Sequence, residues 1–138
     1  NGSNLIISVD NVSGGTQSGI RATNYGTGAL NITATGSVSS TNADGIFARN
    51  YNSGSDFTVS VADVTGDNVG IDVHQRGNGV LSITSTGTVS GDRLGISANS
   101  DSLTSDLSIS AVDVTGGAEL SGEGRDVAVG RDFADGVV

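Results

Sequence analysis

Apolar residues along this chain alternate with polar ones at a period of two, and the alternating blocks return at a fixed distance. They read Leu5-x-Ile7-x-Val9, Leu30-x-Ile32-x-Ala34, Phe57-x-Val59-x-Val61, Leu81-x-Ile83-x-Ser85 and Leu107-x-Ile109-x-Ala111. Period two turns one side chain in and the next out, so each block is a strand with one buried face. A second column is the dipeptide Gly-Ile, at Gly19-Ile20, Gly45-Ile46, Gly70-Ile71 and Gly95-Ile96, with spacings of 26, 25 and 25. Two residues after each Ile stands Ala22, Ala48, Val73 or Ala98. A third column, Val12, Val38, Val64, Val89 and Val114, closes the units at spacings of 26, 26, 25 and 25. Three independent columns with one period define an internal repeat.

Units of roughly 25 residues, each with three short strands and turns of Gly, Asn, Asp and Ser, predict an all-β parallel β-helix (β-solenoid) of about five coils. One coil cannot bury its own apolar face, whereas stacked coils share a continuous core. An antiparallel sandwich also has recurring strands, but nothing in it would hold columns at this distance. A left-handed hexapeptide helix would show a six-residue repeat, which is absent. A finer pattern groups the units in pairs. Units one, three and five place Asn11, Asp63 or Asp113 before the closing Val, where units two and four have Thr35-Gly36-Ser37 or Thr86-Gly87-Thr88. The full period is therefore about 51 residues, as from Val38 to Val89.

Composition fits this reading once the repeat is seen. Gly, Ser, Thr, Asn and Asp make up 79 of 138 residues, which by itself suggests a linker. Leu, Ile, Val and Phe nevertheless supply 35, about a quarter of the chain and above the ~20% typical of disorder. The absence of Pro suits strands paired on both sides, since each needs its N–H. Without Cys and with one His, thiolate and histidine-rich metal sites are excluded. A net charge of -9 without basic clusters argues against nucleic acid and anionic membranes as partners. No apolar run reaches the ~18 residues of a membrane span, so no membrane insertion of this segment is expected.

The runs Leu30-Asn-Ile-Thr-Ala-Thr-Gly-Ser-Val38, Leu81-Ser-Ile-Thr-Ser-Thr-Gly-Thr-Val89 and Ala43-Asp-Gly-Ile-Phe-Ala-Arg-Asn50 resemble the passenger regions of bacterial autotransporters, over about residues 4–118. That resemblance implies a right-handed parallel β-helix exported to the Gram-negative cell surface. Such passengers include adhesins, aggregation factors and a minority of proteases. No protease motif is visible, and the family's membrane-barrel domain is not in this sequence. Residues 1–118 are thus expected to form the repeat coils of a single solenoid. Residues 119–132, where the period fails and charges cluster, are expected to be an inserted loop or a tail. Residues 133–138, with Ala134-Asp135-Gly136 echoing Ala43-Asp44-Gly45, are expected to begin a further coil.

Candidate chemistry is sparse. Tyr25, Tyr51, Arg76 and Asp101 all lie five residues after the repeat Ile and are expected to stack in successive coils. Such a ladder stabilises a corner or offers an aromatic strip to a glycan or a protein. Asn24, Asn50, Gln75 and Ser100 are expected to form an amide ladder beside it. Asp67 and Asp92 share one position in adjacent coils, where two carboxylates could hold Ca²⁺ or act as the acid pair of a polysaccharide-cleaving β-helix. Turn geometry alone also favours Asp there. Asp72 and His74 share the outer face of a strand, but no Ser or Cys stands at a recognised spacing from them. Thr33, Ser60, Thr84 and Ser110 form an outward hydroxyl array, with Thr35 and Thr86 beside it; the interruptions by Ala62 and Val112 spoil a regular ice-binding plane.

The expectation from sequence is therefore a non-enzymatic, cofactor-free segment of a secreted bacterial surface protein, acting as an adhesive, self-associating or spacing scaffold. Its partners would be itself, laterally or end to end, or an extracellular glycan or protein. A polysaccharide-degrading enzyme using clustered Asp and Arg, and an ice-binding solenoid, are the alternatives.

Overall fold

A computed structural model describes residues 2–51, 53–101, 106–116, 118–121 and 125–133, the last two segments by backbone alone. The chain is a parallel β-solenoid. The alternating blocks become β1 (Leu5–Val9), β4 (Leu30–Ala34) and β7 (Phe57–Val61), and then the first halves of β10 (Leu81–Gly91) and β12 (Leu107–Thr115). Every pairing is parallel and in the register of the repeat, with Leu5 opposite Leu30, Leu30 opposite Phe57, Phe57 opposite Leu81 and Leu81 opposite Leu107. The closing Val column forms β2 (Val12–Ser13), β5 (Val38–Ser39) and β8 (Val64–Gly66), which join the same sheet. The Gly-Ile column opens β3 (Ile20–Asn24), β6 (Ile46–Asn50), β9 (Val69–Gln75) and β11 (Leu94–Ser100), which build a second sheet.

Early coils have the three separate strands expected. In the fourth and fifth coils the last two merge into β10 and β12, with a register shift between Ser85 and Thr88 where the others break. Two further strands extend the stack, β13 (Ala118–Ser121) on β11 and β14 (Arg125–Phe133) on β12. The second sheet is then five strands deep and spans about four turns.

This corrects the expectation of an inserted loop or tail over 119–132. Ala118 pairs with Ile96 and Leu120 with Ala98, while Val127 and Val129 pair with Ile109 and Ala111. The period fails there because the turns shorten, but a parallel ladder needs only aligned backbone groups and tolerates turns of unequal length. Phe133 ends β14 opposite Val114. The rest of the expected further coil, 134–138, lies outside the described residues.

The core is one continuous column system of Ile, Leu, Val and Ala with Phe57, nearly all below a few per cent exposure. The Gly of each Gly-Ile pair is sterically required. A Cβ on Gly45 would stand 2.5 Å from Val64 Cγ1 and 2.7 Å from the Gly70 carbonyl oxygen. The close turn between the closing strand of one coil and the next leaves no room for a side chain.

Candidate functional site

The two sheets present very different outer faces. On the first, the outward residues are mostly small and hydroxylic, with Thr33 paired with Ser60, Ser60 with Thr84 and Thr84 with Ser110, and with Ile6 exposed on its first strand. A shallow groove of about 250 Å³ runs along this face, lined by Thr33, Thr35, Ser60, Ala62 and Thr86. No charged group lines it.

The second sheet collects the chemistry. Register places Arg21, Phe47, Asp72 and Ser97 in one outward column and Thr23, Arg49, His74 and Asn99 in the next. At the end of the same strands lies the ladder expected from spacing. The rings of Tyr25 and Tyr51 stack with centroids 4.6 Å apart and planes at 16°. The Arg76 guanidinium sits 5.2 Å from the Tyr51 centroid, and its Nε is 3.7 Å from Asp101 Oδ2. Tyr51 is therefore covered on both faces by its neighbours in the stack, while Tyr25 is 74% exposed. A sugar ring cannot stack on Tyr51. The ladder presents ring edges, hydroxyls and the outer face of Tyr25.

Phe47, absent from the candidates read by spacing, is the second aromatic centre. The Arg49 guanidinium lies 3.9 Å from its centroid and that of Arg21 4.9 Å, both within cation–π range. Arg49 also pairs with Asp72 at 2.9 Å and donates to the carbonyls of Ala48 and Asp72 at 3.0 Å. The signal for Phe47 was present in the sequence, one residue after the second repeat Ile, but only register shows that Arg21 and Asp72 flank it. His74 Nε2 is enclosed and lies 2.8 Å from Asp101 Oδ1, off the line of a hydrogen bond. Asp72 and His74 thus face different partners, and neither is aimed at a nucleophile.

Behind the aromatic ladder runs the amide ladder, which joins three of the four expected residues; Ser100 Oγ is buried without a hydrogen-bond partner and stays outside it. Asn24 donates to Asn50 Oδ1 and Asn50 to Gln75 Oε1, each at 2.8 Å. Their remaining N–H groups go to turn carbonyls: Asn24 to Gly28, Asn50 to Ser55, Gln75 to Ser55 and Gly79. Asn50 and Gln75 are fully buried. Each amide therefore closes its own turn and holds the next.

Asp67 and Asp92, the candidate Ca²⁺ pair, are exposed on turns. Among the described residues no three His, Asp or Glu side chains converge as a cation site. Comparison with known proteins returns no match: no family description fits the chain, and no curated protein and no solved structure is similar to it.

Proposed function

We propose that this chain is a non-enzymatic segment of a secreted bacterial cell-surface protein, a rigid adhesive scaffold that associates with itself. One observation carries the reading. Both Tyr, Phe47, the single His and three of the six Arg stand along the outer side of the second sheet and its strand ends, whereas the outward residues of the first sheet are mostly Ser and Thr. Tyr and Arg are the residue types enriched in the anchoring spots of protein interfaces, and Ser is depleted there. On this face they are tied to one another across coils, which holds them rigid and lowers the entropy lost on contact.

Beads coated with the chain should cluster with one another, and the clustering should fall when Arg21 and Tyr25 are replaced by Ser. Beads that stay dispersed, together with release of soluble sugar from a panel of uronate polymers and neutral glycans, would replace this reading by the polysaccharide-degrading one.

A further inference from the structure

We propose that strand β3 and the corner after it bind an acidic oligosaccharide, with Arg21 taking the carboxylate of a uronate unit and Tyr25 the face of a sugar ring. This site goes beyond self-association and stands even if coated beads stay dispersed.

Among the described residues of the second sheet, Arg21 is the guanidinium without an acidic partner. It is exposed and lies 4.9 Å from the Phe47 centroid. Arg49 commits its donors to Asp72 and to the carbonyls of Ala48 and Asp72, and Arg76 faces Asp101 at 3.7 Å. A ring beside a guanidinium restrains it by cation–π attraction. The N–H fork, whose geometry matches both oxygens of a carboxylate, stays available.

Tyr25 supplies the second contact along the same line of chain. Its ring is 74% exposed, and the Tyr51 ring stacked 4.6 Å away holds it in place. A ring already ordered loses little freedom on contact, so a sugar meets a preformed surface. Thr23, small and half-buried, stands between Arg21 and Tyr25. Four residues at about 3.3 Å each set the two contacts roughly 13 Å apart, a reach longer than one sugar ring. The ligand is therefore an oligosaccharide with one charged and one stacked unit, and not a single sugar or a free anion.

The chain's charge of -9 does not close this site to an anion. Asp72, two strands above Arg21 in its column, is paired with Arg49 at 2.9 Å. Asp44, in the turn that leads into β6, is buried and accepts from Asn68 and Val69. Glu119 stands four strands above Arg21, about 19 Å away, where the Debye length at physiological salt is about 8 Å. An exposed ion pair contributes little by itself, so the dissociation constant is expected to be on the order of 1 mM.

The test is an NMR titration of the isotope-labelled full chain with oligogalacturonate, with its methyl ester and with a sulfated oligosaccharide of equal length. Oligogalacturonate should shift the signals of Arg21 and Tyr25, and the uncharged ester should bind at least about tenfold more weakly. Arg21→Ala should lower the affinity for oligogalacturonate by a similar factor and Arg21→Lys, which keeps the charge but loses the fork, by less. Tyr25→Ala should lower it by about fivefold, whereas Tyr25→Phe and the control Arg93→Ala should keep it. All of these positions are exposed, so each variant should retain the β circular-dichroism spectrum. Equal binding of the ester, or an Arg93→Ala loss equal to that of Arg21→Ala, would overturn the site. Tighter binding of the sulfated oligomer would overturn the uronate assignment. No shift at Arg21 or Tyr25 with any of the three would overturn the proposal altogether.

Discussion

Buried amides do more for this protein than their number suggests. Asn50 accepts from Asn24, donates to Gln75 and Ser55, and has no exposed surface. Leu has a similar branched shape but leaves the Asn24 N–H and the Gln75 Oε1 acceptor unpaired, while the Ser55 carbonyl keeps its bond from Gln75. At about 1–3 kcal/mol for a buried polar group left unsatisfied, Asn50→Leu should destabilise the fold by about 3 kcal/mol. Urea unfolding of the variant would measure this; a loss below about 1 kcal/mol would show that the ladder relaxes and re-pairs. The ladder was legible from spacing because Asn24, Asn50 and Gln75 keep the period; Ser100 keeps it too but carries no amide and stays outside the ladder. Phe47 and its two guanidiniums were not, since Arg21, Phe47 and Asp72 are chemically unlike and only register makes them neighbours.

At the scale of the element, coils come in clasped pairs. Asn11 Oδ1 accepts from Ser37 N and Asp63 Oδ1 from Thr88 N, each at 2.9 Å. A second clasp repeats the scheme: Asn4 Oδ1 accepts from Ala29 N and Asp56 Oδ1 from Val80 N, at 2.9 and 3.0 Å. Odd coils carry the capping oxygen and even coils the N–H. This accounts for the Gly of the even coils, because a Cβ on Gly36 would lie 2.3 Å from Asn11 Oδ1 and one on Gly87 2.2 Å from Asp63 Oδ1. Gly87→Ala should therefore cost about 1–3 kcal/mol, as overpacking does. Adding Asp63→Ala removes the obstructing oxygen, so the double variant should lose less than the sum of the two single losses. Strict additivity in thermal or urea melts would refute the clasp. The closing-strand half of this alternation was readable in the chain. The reason for it was not, because donor and acceptor are 25 or 26 residues apart.

For the whole molecule, pairing sets which lengths of chain are removable. A solenoid is nearly one-dimensional, each coil touching only its neighbours, so stability follows the quality of each interface. Deleting residues 39–89, one full pair of 51 residues, joins an even coil to an odd one as in the intact chain. Deleting only 65–89 sets Asp63 beneath Asp113 and Asp56 beneath Asp106, with carboxylates stacked where a capped N–H should be. The larger deletion should keep the β circular-dichroism spectrum and melt at the higher temperature. A shorter deletion that melts higher would mean that the pairing carries no weight.

Sequence alone determined the solenoid, its period, its inward columns and the aromatic and amide ladders. Each depends on chemistry that repeats at a constant distance, and a stack of coils turns constant distance into contact. Tertiary structure decided what does not repeat. It showed that residues 118–121 and 125–133 rejoin the ladder after the spacing changes, because backbone pairing is indifferent to turn length. It also gathered Arg21, Phe47, Arg49, Asp72 and His74 on one flat face, since neighbours across coils are set by register and not by kind.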